Sequence, residues 1–136
     1  MDNANTTPEI LDLAVARARL EQSVAKKVED LMYLAKSFRC TRIEHMRRST
    51  DPEQDEKTVK EELLRLSEAV ETLIAEINKE GAVVKDPEGG LIDFYGWHKD
   101  EIVFLCWKHG ESTIQHWHPI ESGFAGRQRI DDNSIS

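Results

Sequence analysis

Apolar residues in the first half of the chain recur at helical spacing. Ile10, Leu13, Leu20, Val24, Leu31, Leu34 and Phe38 follow one another at intervals of three, four or seven, and Ala14, Val28 and Ala35 widen the stripe. Thr7-Pro8-Glu9 reads as a helix start, with Thr7 as the N-cap, Pro8 at the first helical position and an acid beside the positive end of the helix dipole. No Gly or Pro intervenes between Pro8 and Asp51, so the pattern predicts one helix over 7–48, about 55 Å long at 1.5 Å per residue. Arg17 and Lys27 interrupt the apolar seam. Ser49-Thr50-Asp51-Pro52 then supplies a break and a restart. The second helix, expected over 52–80, carries Val59, Leu63, Leu66, Val70, Leu73 and Ile77 in a heptad rhythm, flanked by Leu64 and Ile74. Gly81 is its expected left-handed stop.

Beyond Gly81 the period shortens. Ala82-Val83-Val84-Lys85, Leu91 to Tyr95, Glu101 to Trp107 and Ser112 to His118 are strand candidates separated by turn-forming residues, and Pro119 ends the last of them. The expected fold class is α+β: a long antiparallel two-helix hairpin followed by a small antiparallel β-meander of three to four strands. A single domain spans 1–136, with the β-meander and C-terminal loop over 82–130 and a polar tail, 131–136, expected to fray. Two helices cannot bury so wide an apolar stripe on their own. Either the sheet or a second subunit must cover the rest, which points to a homo-oligomer formed through the helices.

Charge narrows the function classes. The formal net charge is −8, which disfavours binding to nucleic acid or an anionic membrane by self-repulsion. A local basic stretch (Lys36, Arg39, Arg42, Arg47 and Arg48) is read as facing the acidic run Asp51, Glu53, Asp55 and Glu56; an anion or RNA patch is the alternative. No stretch approaches the roughly 20 apolar residues that span a bilayer. The N-terminus lacks the apolar core of a secretory signal. With only Cys40 and Cys106 in unlike contexts, a cytoplasmic protein with reduced thiols is expected.

The segment from Leu91 to Ile130 holds all three tryptophans and four of the five histidines. Gly90-Leu91-Ile92-Asp93-Phe94, Leu105-Cys106-Trp107-Lys108, Gly110-Glu111, Trp117-His118 and Gly123-Phe124-Ala125-Gly126-Arg127 together resemble the bacterial family known as domain of unknown function 2203. The second helix and its Gly81-to-Asp86 exit are similar as well. Two turns depart from the family pattern: Tyr95-Gly96 stands where Pro-Ala is common, and Ser112 where Pro is common. The resemblance implies an uncharacterised cytosolic bacterial protein and supplies no catalytic assignment.

Several residues in this segment have reactive chemistry. His116 and His118, two apart on a strand, point to one face and can ligate zinc or another divalent metal, with Glu111, Cys106, His98 or Asp93 available to complete a shell. The spacing matches no established metal motif, so no cofactor is expected and a divalent metal is the minor reading. Hairpin register decides the partners: a three-residue loop at His109 to Glu111 puts Cys106 on the face of Ile114, His116 and His118, and a two-residue loop puts it on the other. His118 either fixes a turn by bonding a backbone carbonyl or acts as a general acid-base. Arg127 either binds an anionic ligand or pairs with Asp93 or Glu111. Cys106 is read as a buried filler, and Trp107 and Trp117 as packing against the helices or a second subunit. Lys108 caps the wet end of its hairpin, and Trp97 is placed in a polar loop. Trp97, Lys108 and Arg127 are the expected ligand or partner contacts. Two functions follow: a self-associating interaction or ligand-binding module without catalysis, or a small hydrolase or metal-dependent enzyme using His118 with Glu111, Asp93 and Arg127.

Overall fold

A computed structural model describes residues 8–47, 56–131 and 135. Helix α1 (Leu13–Arg19) passes through a single π-helical turn, Leu20–Val24, into α2 (Ala25–Arg47), forming one long rod. Helix α3 (Glu56–Lys79) packs beside α2. The chain then runs through five strands: β1 (Ala82–Asp86), β2 (Leu91–His98), β3 (Glu101–Lys108), β4 (His116–Pro119) and β5 (Gln128–Arg129). Each pairs antiparallel with its neighbour in sequence, so the sheet order is β1-β2-β3-β4-β5. The fold is mixed helix and sheet as the periodicity indicates, with one strand more than expected.

The rod starts later than Thr7-Pro8-Glu9 suggests, and Thr7 itself lies outside the described residues. Pro8 and Glu9 are not helical. Ile10 forms a parallel bridge with Tyr95, and the Leu11 N–H bonds the Tyr95 carbonyl at 2.9 Å. Strand β1 stops pairing with β2 at Ala82–Phe94, leaving the next backbone position of β2 free for this segment. Satisfying that sheet edge outweighs a one-turn extension of the helix. The restart at Asp51-Pro52 lies outside the described residues. At the other end of α3, Gly81 has φ of +97°, the left-handed conformation that stops the helix at little steric cost.

The two charged interruptions of the first stripe have structural partners. Arg17 donates from Nε and Nη2 to the Ile114 carbonyl at 3.0 and 2.7 Å, tying α1 to the β3–β4 connection. Lys27 reaches Glu80 at 3.0 Å, beside the Ser23 hydroxyl. In the basic stretch, Arg39 pairs with Glu88 of the β1–β2 turn at 2.9 Å, where the sequence suggested the acidic run after Asp51. That acidic run, up to Asp55, and Arg48 lie outside the described residues.

The main core lies between the rod and one face of the sheet. Leu20, Val24, Val28 and Leu31 of the rod, and Ile77 of α3, meet Ile92, Phe94, Leu105, Trp107 and Trp117. Both tryptophans are thus packed against the helices. Gly96 belongs to the same face, and an added Cβ there would lie 2.6 Å from the Leu105 side chain. Gly96, expected at a turn, is instead a close-approach residue within β2. Ile135, in the tail expected to fray, is buried and bridges His98.

Candidate functional site

Trp97 is not in a loop. It lies on β2, half-buried and opposite Ile102, because β2 and β3 are joined by the two residues Lys99 and Asp100. Lys99 takes φ of +55° to close that turn. The signals for a tight hairpin are Asn-Gly or Asp-Gly, and Lys-Asp hides it.

Register places the chemistry on the sheet face away from the helices. Asp93, Cys106 and His116 form one row across β2, β3 and β4, and Tyr95, Phe104 and His118 form the next. Cys106 therefore shares a face with both histidines, the outcome expected of a three-residue loop. The connection is longer than either loop length considered, and β4 begins at His116. Ile114, expected on this face, turns into the helix-side core.

His118 and Asp93 form a closed pair. Their side chains are 3% and 2% exposed, with His118 Nε2 3.1 Å from Asp93 Oδ2. A carbonyl can only accept, so the 2.9 Å contact between His118 Nδ1 and the Pro119 carbonyl makes Nδ1–H a donor. The Nε2 contact then requires a further proton, carried by the imidazole or by the carboxyl. Burial raises the Asp93 pKa, against the lowering effects of His118, Cys106 and Lys85. Asp93 Oδ1 is buried and has no hydrogen-bond partner among the described residues. Cys106 is fully buried beside this carboxyl. Burial first, and the neighbouring Asp93 second, push its thiol pKa up to about 12, the opposite of an activated nucleophile.

A second cluster adjoins it along the same face. Arg127 Nη2 donates to Glu111 Oε2 at 2.5 Å and to His116 Nδ1 at 2.6 Å. Since arginine has no acceptor, His116 Nδ1 accepts and the ring is neutral in this arrangement. Burial and then the Arg127 charge lower the His116 pKa. The other Glu111 oxygen takes the Lys108 N–H, and the Glu111 carbonyl takes Trp107 Nε1–H, each at 2.9 Å. Glu111 thus folds the β3–β4 turn and anchors Arg127 at once. Arg127 also lies over the Phe124 ring, 4.6 Å from its centroid.

The four residues expected to converge in a hydrolase, His118, Asp93, Glu111 and Arg127, therefore form two separate hydrogen-bonded pairs. Of the expected contact residues, Arg127 is held by Glu111, and Lys108 Nζ bonds the Gly89 carbonyl at 3.1 Å. The expected pair His116 and His118 share a face, yet their rings take different partners. Among the described residues, Asp93, Cys106 and His118 each offer a donor atom within 4.8 Å of the other two. Arg17, the charge that interrupts the apolar stripe of the rod, is a positioning residue that holds the β3–β4 connection through the Ile114 carbonyl. A surface groove of about 700 Å³ does lie near the second cluster, lined by Ala14, Arg17, Glu21, Trp107, Glu111 and Ser112 among others. No described helix is long and apolar enough to cross a membrane.

Comparison with curated proteins and with solved structures returns no match. A family profile described as an uncharacterized conserved protein, domain of unknown function 2203, matches residues 9–130. That span covers the rod, α3 and all five strands, so the chain belongs to this family.

Proposed function

We propose that this chain is a non-catalytic interaction module of the bacterial cytosol that self-associates through its helical hairpin. The observation that carries the reading is the uneven covering of the apolar stripe. The sheet closes over Leu20, Val24, Val28, Leu31 and Ile77. Farther along the rod and on the first half of α3, Leu34, Phe38, Val59 and Leu63 remain half-buried, and Leu64 and Met46 are 59% and 62% exposed. Only Leu66 is fully buried in that half of α3. A seam with heptad spacing left partly open on two adjacent helices suits a second copy of the same hairpin, which buries identical stripes by coiled-coil packing. The free thiols Cys40 and Cys106 fit a reducing compartment.

The closed state of the His118–Asp93 pair favours this reading over the hydrolase. A general acid-base must reach its substrate within hydrogen-bond distance, and these two side chains offer almost no accessible surface. The test is sedimentation of the untagged full chain at micromolar concentration. A dimer or higher oligomer is expected, with Leu64→Glu shifting it to monomer while the circular dichroism spectrum is retained. Leu64 is mostly exposed in the single chain, so its replacement does not open the core. A wild-type monomer across that concentration range overturns the proposal.

A further inference from the structure

We propose that Asp93, Cys106 and His118 bind one divalent transition-metal ion of the zinc class, which staples β2, β3 and β4 together. This goes beyond the self-association reading and does not depend on it. One strand contributes each residue, and one donor atom from each lies within 4.8 Å of the other two. Zinc bonds of about 2.0–2.3 Å in a tetrahedral shell place ligand atoms roughly 3.5 Å apart, so the cluster needs only a small adjustment to close on an ion. The donor set is mixed nitrogen, sulfur and oxygen. Such a set suits zinc and its neighbours, and excludes magnesium and calcium, which demand all-oxygen shells.

Two details of the pocket point the same way. The Nδ1–H of His118 is already donated to the Pro119 carbonyl, the outer contact that orients a metal-binding imidazole and leaves Nε2 for the ion. Asp93 Oδ1, buried and without a hydrogen-bond partner among the described residues, supplies a further lone pair for a bidentate carboxylate. An oxygen left so is costly, and an ion satisfies it.

The charges balance on exchange. Without metal, the cluster holds one proton in the Asp93–His118 contact and one on the Cys106 sulfur. Its net charge is then zero. Binding an M²⁺ ion expels both protons to solvent, leaving a carboxylate, a thiolate, a neutral imidazole and the dication, again with net charge zero. The exchange therefore buries no net charge, which removes the main electrostatic obstacle to an ion in an enclosed site. A metal-bound thiol loses its proton even where the free thiol holds it tightly.

Cobalt(II) and zinc(II) titrations of the untagged, chelator-treated full chain test the site. One cobalt per chain is expected, with thiolate-to-cobalt charge-transfer absorption that persists in Cys40→Ser and disappears in Cys106→Ser. Zinc should displace the cobalt, and each zinc bound near neutral pH should release two protons. Cys106→Ser should weaken zinc binding by about ten-fold or more. The absorption band and proton count are read on the wild-type chain, so they decide the matter even if a variant fails to fold. No uptake, uptake without a thiolate band, or a band lost with Cys40→Ser overturns the assignment.

Discussion

On the helix side of the sheet, Ile92, Phe94, Leu105 and Trp107 meet the rod as an apolar surface. One position along the same strands, Asp93 and Cys106 turn the other way and, with His118 of β4, are equally buried. The first face is stabilised by area removed from water, at about 25 cal/mol per Å² of apolar surface, and tolerates changes that conserve volume. The second depends on the pairing of particular polar atoms and fails when one partner is lost. Equal burial on the two faces thus implies different kinds of sensitivity to mutation.

The largest effect is expected on the apolar face. Phe94→Ala removes a fully buried ring from the contact between sheet and rod and should lower stability by about 3–5 kcal/mol, read from denaturant unfolding. A loss below about 1 kcal/mol would mean that the helices do not hold the sheet in the way the core indicates.

The outer face should respond less additively. In chelator-treated protein, His118→Ala and Asp93→Ala are each expected to cost about 3 kcal/mol, because each leaves a buried polar partner unpaired. The double variant Asp93→Leu with His118→Phe should lose far less than the sum of the two single changes, since no orphaned charge remains. If the single and double losses simply add, the two residues are independent and the pair is not the unit of stability.

These contrasts also explain what was legible in the sequence. The helix-side positions were readable from periodicity, since Leu20, Val24, Leu31 and Ile77 needed only a count of spacings. Trp107 and Trp117 were readable because large aromatic rings on adjacent strands require a packed surface. The outer face was not readable in the same way. Its members were recognised as chemically able, but which of them meet depends on register, and the β3–β4 connection carries no turn signature that fixes its length. For Arg127 the sequence left Asp93 and Glu111 open as partners, and only the fold of the β3–β4 turn brings Glu111 to it. The rod starts later than its helix-start signature indicates for a non-local reason: that signature cannot show that Tyr95, far along the chain, has an open backbone position to be filled.

The smallest effect concerns charges that stay in reach of water, and it separates buried from accessible pairing. Glu80 sits where the C-terminal end of α3 meets the rod. Burial raises its pKa, but the Ser23 hydroxyl and Lys27 together overcome this and leave it lowered from the usual value. A carboxylate whose pKa is lower in the folded state stabilises the fold fully above its unfolded value. It loses that contribution as pH falls through the folded one. Glu80→Gln should therefore cost less than about 1 kcal/mol at neutral pH, as partly exposed ion pairs do. The difference in Tm between the variant and the wild type should shrink as pH drops below about 4.3, the ordinary unfolded value for glutamate. High salt should reduce the same difference at neutral pH, because a pair in contact with solvent is screened. The losses caused by Asp93→Ala or His118→Ala should respond little to salt, since their partners lie out of reach of mobile ions. A Glu80 effect that is insensitive to salt would place this junction among the closed clusters of the outer face, and the distinction between accessible and enclosed charge in this chain would fail.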